Sequence, residues 1–357
     1  MEQTDQLILD TATRLFTDHC EAEVVNKAES GEVPDSLLKS IIETGLPLAW
    51  VSEEAGGVGG SLALGFGLIR LSAAFALPAP LAETMVANQL LAQAGLEVAV
   101  SWAAPIFDAS ALPRLHGNHV SGIVEEAPGV AEEAVLVVPV AEGDTIRIAV
   151  IDPEAVILEP RESLAGEPRT RVTLDTVVPR VLSEPVAGMT EAGLRQFFAL
   201  VRASQIAGAL EKINDLTVAY VQERQQFGRP LGKFQAIQHK VADIAGESAL
   251  ASAAVEQAVR TLSAQKAPFS GAAETGLAVA TAKVVTSTAS GLVARIAHQS
   301  HGAMGFSFEY PLQQYSRRIL GWRDEYGTEF YWGEWIAQVV AGEIRDAGST
   351  AWELVSR

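Results

Sequence analysis

Apolar positions along the chain change period twice. Over the first hundred residues they recur every three to four positions, the spacing of helices packed on one face. Ile8, Ala12, Leu15 and Phe16 share such a face, with Leu7 at its edge. Pro34, Asp35 and Ser36 open a second helix that stops at Gly45, and VSEEAGGVGGS (51–61) is a glycine-rich loop. A helical pair follows over about 62–96, interrupted by Pro78-Ala79-Pro80. From about 103 to 185 the pattern becomes short β-branched runs bounded by Gly, Pro and Asp, namely LHGNHVSGIVEE, EEAVLVVPVA, DTIRIAVIDP and TRVTLDTVVP. Beyond 190 the helical period returns. Leu194, Phe197, Phe198 and Val201 share a face, as do Ile206, Leu210 and Ile213. The spacing predicts a helix from about 191 to Arg224, broken by Gly228, Pro230 and Gly232. Further helices are predicted over 235–265 and 270–298, and the break SHGAMGFSFEYP precedes the last helical segments.

Helices, then strands, then helices give an α+β chain with three expected domains: 1–102 helical, 103–187 a small β-barrel or sandwich, and 188–357 a helical bundle. At 357 residues and 48% hydrophobic content, there is ample material for a core. The formal charge of −18 disfavours binding to phosphate backbones or anionic membranes. The lone Cys20 allows no internal disulfide, and the acidic amino terminus lacks the features of a signal peptide. No charge-free run of membrane-spanning length is found, so a cytoplasmic location is expected.

The most specific segment is ERQQFGRPLGKFQ (223–235). Arg224 stands where a helix ends beside a glycine turn, and its planar fork suits a diphosphate. Taken alone, it reads as a surface arginine or a helix cap. A second segment, Gln299-Ser300-His301-Gly302-Ala303-Met304-Gly305-Phe306, is followed by Glu309-Tyr310-Pro311 and Arg317. Together these resemble the R-x-x-F-G and Q-x-x-G-G-x-G-F signatures of the acyl-CoA dehydrogenase family, with Ala303 replacing one glycine. The stretch LLKSIIETGLPLAWVSEEAGGVGG resembles the family's amino-terminal Pro-Glu-Glu-Tyr-Gly-Gly region, with Ser52 in place of Pro.

The resemblance implies an amino-terminal helical domain, a middle β domain and a carboxy-terminal four-helix bundle. It also implies FAD, an acyl-CoA substrate and an electron-transferring flavoprotein as acceptor. The family's reaction is an α,β-dehydrogenation in which a carboxylate takes the α-proton and the flavin takes the β-hydride. The family places that carboxylate before Gly-Thr, which is Tyr326 here, or on the long helix before R-x-x-F-G, which is Phe198. Neither is an acid. Glu325 is the remaining candidate base, one residue off register and about 100° away on a helix. The Thr-Glu-Pro-x-x-Gly-Ser segment that contacts the flavin ring has no counterpart in SWAAPIFDASALP. The Trp-Ile-Thr wall is replaced near Ile123-Val124-Glu125.

In the family one subunit holds the flavin ring while its neighbour supplies the two signatures to the diphosphate and adenosine. The resemblance therefore implies a half-site donor. Arg224, Phe227, Gln235, Gln299 and Gly302 would reach into a flavin hosted by a homologous catalytic subunit in an α2β2 assembly. Two alternatives stay open: a self-sufficient enzyme that uses Glu325, and a flavin-free structural relative. His298 and His301 form an HxxH pair without a further ligand in register, so partly exposed helix-end histidines are expected rather than a metal. The glycines at 56–60 lack the Lys-Ser/Thr of a P-loop and are expected to serve a turn. Phe197 and Phe198 are expected in the core.

Overall fold

A computed structural model describes residues 3–130 and 133–347. The start of the EEAVLVVPVA run, at Glu132, lies outside the described residues. Five helices come first: α1 (Gln3–His19), α2 (Ala22–Glu29), α3 (Asp35–Glu43), α4 (Leu62–Ala74) and α5 (Leu81–Gln93). The loop between α3 and α4 behaves as its glycines require. Gly56 and Gly59 take φ of 86° and 79°, and a Cβ on Gly57 would lie 2.3 Å from the Val51 carbonyl oxygen.

Eight strands follow: β1 (Ala103–Pro105), β2 (Arg114–His116), β3 (His119–Pro128), β4 (Val135–Glu142), β5 (Thr145–Ile151), β6 (Ile157–Arg161), β7 (Arg169–Val177) and β8 (Val181–Leu182). They form one mixed sheet in the order β6-β7-β3-β2-β4-β5-β8, with β1 parallel to β4. Leu136, Val138 and Val140 of β4 pack with Val120, Val124, Val172 and Leu174 in a core belonging to the sheet. Val137, together with Ile146, Ile148 and Val150 of β5, faces the helices instead. The central strands thus bury both faces, and the two-residue period assigns each face its own core.

The chain then enters α6 (Glu191–Glu223), a short hairpin of β9 (Gln225–Gln226) and β10 (Arg229–Pro230), α7 (Gln235–Ser263), α8 (Ala273–His301), α9 (Leu312–Trp322) and α10 (Glu329–Ala347). Thr190 caps α6 by accepting from the Gly193 amide. The helix is buried around much of its circumference from Gly193 to Leu210, as an apolar helix at the centre of a fold must be. Ala273–Phe306, which contains α8, has the length and apolarity of a membrane span, a feature the sequence reading did not expect. Val279, Ala280, Val293 and Ile296 on it are buried inside the protein, which accounts for that apolarity.

Close approach of α4 to α6 depends on a missing side chain. A Cβ on Gly208 would sit 2.0 Å from the Arg70 carbonyl oxygen. The same Arg70 ties three helices through Glu211, Glu256 and Ser252. Gly208→Ala is expected to cost about 1–3 kcal/mol by overpacking, read as a lower urea midpoint. An unchanged midpoint would contradict this contact.

Candidate functional site

Two regions matter, at opposite ends of α6. At its carboxy-terminal end the Arg224 amide donates to Tyr220 O at 2.9 Å, and the Arg224 carbonyl accepts from the Leu231 amide at 2.8 Å. The backbone is thereby fixed while the Arg224 side chain stays exposed. Phe227 and Gly228 form the hairpin turn with φ of 52° and 80°. Two positive φ values in a two-residue turn match the twist of the flanking strands. The Phe227 ring is 90% exposed. Gln235 is the first residue of α7, where helix amides lack intrahelical partners. The Arg229 guanidinium lies 4.1 Å from the Phe234 ring centroid.

Tyr220 joins this end to the second signature. Its hydroxyl donates to His301 O at 3.1 Å, and its ring stacks on the His301 ring at 4.3 Å. Gly302 follows directly, ending α8 with φ 62° in open space, so its conformation rather than its small size is what matters there. Gln299 is exposed on the last turn of α8. Segments that lie far apart in sequence therefore meet at one solvent-facing corner. His301 corrects an expectation: it is 3% exposed, between Tyr220 and Tyr310, with Nδ1 2.8 Å from Ala297 O. Burial lowers its pKa and that of His298. His298 Nε2 lies 2.8 Å from Ser316 Oγ.

Nearer the amino-terminal end of α6, aromatic rings close together. Phe198 stacks on Phe107 at 4.6 Å, Phe107 on Tyr326 at 5.9 Å, and Phe198 meets Tyr326 at 5.0 Å. Phe107 and Phe198 are buried, as is Phe197. Burial raises the pKa of Tyr326, keeping its hydroxyl neutral. Glu325, beside it, points into a charge network instead. Its Oε1 accepts from Arg169 Nη2 and its Oε2 from Arg202 Nε, each at 2.7 Å. Arg202 Nη1 also donates to Glu83 Oε1 at 3.1 Å and to Gln205. Burial alone would raise the Glu325 pKa, but the two guanidinium groups outweigh it and hold the value near 2.

Comparison with known proteins agrees with this architecture. Residues 195–340 match the acyl-CoA dehydrogenase C-terminal domain. Acyl-CoA dehydrogenase IpdE2 of Mycolicibacterium smegmatis is 28% identical over 331 residues, 90% of this chain and 94% of that protein. Residues 195–340 thus carry the family's C-terminal domain, and the chain is similar to acyl-CoA dehydrogenases over most of its length. Its fold matches the steroid ACAD Tcur3481–Tcur3483 with a TM-score of 0.81 and 22% identity, over 96% of this chain and 99% of that one. It matches the ChsE4–ChsE5 complex of Mycobacterium tuberculosis with a TM-score of 0.81 and 18% identity, over 96% and 98%. Acyl-CoA dehydrogenases are oxidoreductases acting on the CH–CH group of acyl-CoA thioesters.

The two positions at which the resemblance implies a base, Tyr326 and Phe198, are two sides of the aromatic cluster. Glu325 does not take over. A base for this chemistry needs a pKa raised towards neutrality and a free oxygen, whereas this carboxylate is strongly acidic and both oxygens are engaged. The candidate base of the sequence reading is thus corrected to an ion-pair anchor. Arg169, Arg202, Glu83 and Phe107 were missed from sequence. They come from distant parts of the chain, and no local pattern marks them.

Lys283 of α8 completes the network from below. It is fully buried and donates to the carbonyls of Trp322 at 3.3 Å and Arg323 at 2.8 Å, the backbone leading to Glu325. Burial lowers its pKa to about 7, against the opposing pull of Glu325.

Two titration predictions follow from these shifts. Glu325 has a folded pKa near 2, below its ordinary 4.5. Its stabilisation is fully present above about pH 4.5 and is lost as pH falls through 2. Glu325→Gln should therefore cost about 3–5 kcal/mol at neutral pH, and the gap to wild type should narrow below pH 4.5 in urea melts. Lys283 has the opposite logic. Its folded pKa of about 7 lies below the ordinary 10.5, so the unfolded chain binds the extra proton between these values. Stability should rise with pH across that window, by at most about 1.4 kcal/mol per unit. Lys283→Met should remove the rise; a rise that persisted would contradict the assignment.

Proposed function

We propose that this chain is the non-catalytic subunit of a heteromeric, FAD-dependent acyl-CoA dehydrogenase, supplying the diphosphate and adenosine half-site to a homologous catalytic subunit. The observation that carries the reading is the contrast along α6. Phe198 sits in the closed aromatic cluster, while Arg224 stands at the open corner with Gln235, Gln299 and Gly302. Twenty-six residues at the helical rise separate them by about 39 Å, farther than a single FAD molecule spans. The two ends of one chain therefore serve different cofactor sites. The site at the Phe198 end is filled by Phe107, Phe198 and Tyr326, which leaves only the donor end of this chain in use.

The residues at the open corner fit a diphosphate. Arg224, Arg229 and Lys233 concentrate positive charge within a chain of net charge −18. The amino terminus of α7 adds unpaired amides and the positive end of a helix dipole. In the assembly, Arg224 would donate to diphosphate oxygens and Phe227 would pack against the coenzyme. Gln235 and Gln299 would donate to its polar groups, and Gly302 would let the backbone approach. The flavin supplies the hydride acceptor when bound, and the proton acceptor belongs to the catalytic subunit. The acceptor this reading implies is an electron-transferring flavoprotein. Heteromeric association is supported by the fold shared with the ChsE4–ChsE5 complex. The cytosol suits the lone Cys20, whose thiol burial pushes up to about 12.

Arg224→Ala, co-expressed with the catalytic subunit, should weaken FAD retention about ten- to a hundredfold, the loss expected for a charge-assisted hydrogen bond. Fluorescence titration of the deflavinated complex measures it. Unchanged affinity would remove Arg224 from the diphosphate site, and turnover by the chain alone would overturn the reading.

A further inference from the structure

No third metal-ligating side chain joins His298 and His301 among the described residues. Each ring is instead packed against the turn that carries the second signature. The His298 ring stacks on Phe306 at 4.3 Å. The His301 ring lies between Tyr220 at 4.3 Å and Tyr310 at 5.0 Å.

Tyr220 makes three contacts at this corner. Its carbonyl accepts from the Arg224 amide at 2.9 Å, its hydroxyl donates to His301 O at 3.1 Å, and its ring covers His301. The first contact sets the backbone of Arg224, and the second sets the peptide that leads into Gly302. Tyr310 closes the other side by donating to Leu216 O, one turn earlier on α6, at 3.1 Å. The backbone at Arg224 therefore cannot move relative to Gly302 without breaking the Tyr220 contacts.

The same packing fixes the protonation state of His301. Its Nδ1 lies 2.8 Å from Ala297 O, and a carbonyl only accepts, so Nδ1 carries the proton. Its Nε2 is buried and has no hydrogen-bond partner among the described residues. A second proton there would add a buried charge and a donor with nothing to receive it. The titratable groups against the ring are Tyr220 on α6, Tyr310 ahead of α9 and His298 on α8 itself, while Glu223 of α6 acts on Tyr310. Burial lowers the His301 pKa against the pull of the Ala297 and Leu216 carbonyls.

We propose that Tyr220 and His301 are positioning residues that lock the end of α6 to the Gly302 turn, holding the two signature segments in the arrangement that receives the FAD diphosphate. The ligand rests on the half-site reading; the lock itself does not. The lock needs a neutral ring. It is at full strength above about pH 6.5, the ordinary histidine value, and weakens as pH falls below it.

Hydrogen–deuterium exchange of the full chain, read by mass spectrometry, tests the lock. Tyr220→Phe keeps the ring and loses the hydroxyl. At neutral pH it should speed exchange about two- to tenfold in peptides covering 224–232 and 300–307, while peptides of β4 and β5 keep the wild-type rate. Between about pH 7.5 and pH 5.5, after correction for intrinsic rates, wild type should lose protection at 300–307. His301→Phe, which stacks but takes no proton, should lose less. Unchanged exchange in Tyr220→Phe, equal acceleration of all peptides, or equal acid loss in His301→Phe would overturn the lock. In the complex co-expressed with the catalytic subunit, Tyr220→Phe should weaken FAD binding about two- to tenfold. If Arg224→Ala weakens FAD binding and Tyr220→Phe does not, the positioning role fails and the half-site reading stands. If neither variant weakens it, the half-site reading fails and the positioning role with it.

Discussion

The carboxylate of Glu325, held between the guanidinium groups of Arg169 and Arg202, fixes the interior of this protein. It joins the start of β7, the middle of α6 and the turn between α9 and α10, three places brought together only by the completed fold. A buried charge without a partner would be costly, so each member of the network holds the others in place. The adjacent residue, Tyr326, takes φ of 56°. A bulky side chain accepts that conformation only where its surroundings impose it. Here Phe107 and Phe198 receive the ring on one side of the turn while the arginines receive Glu325 on the other.

The aromatic cluster takes in both Tyr326 and Phe198, the positions at which the resemblance implies a proton acceptor. The exposed end of α6 shows no comparable closure. Its hairpin turn is rigid, its backbone is tied to the end of α8 through Tyr220, and its polar side chains face outward. The proposed half-site role rests on this contrast between a sealed interior and an ordered, outward-facing corner.

Much of this was legible in the sequence. Helical periodicity located α6, α7 and α8, because long amphipathic or buried helices repeat their signal many times. The R-x-x-F-G and Q-x-x-G-G-like segments were readable because turn glycines and helix ends are local features. Strand β6 was not anticipated; it is an edge strand with an exposed face and little hydrophobic alternation. The meeting of Arg169, Arg202, Glu83 and Glu325 was invisible, since pairing across more than a hundred residues leaves no local trace. For the same reason Glu325 looked like a free acid, and His301 like a surface residue, until the packing around Tyr220 was known.

The most direct measurement is the flavin content of the purified protein, read from its visible absorbance after isolation alone and after isolation with its catalytic partner. The account predicts a colourless chain alone and one FAD for each pair of unlike subunits together. A yellow protein alone, with one FAD per chain, would contradict it.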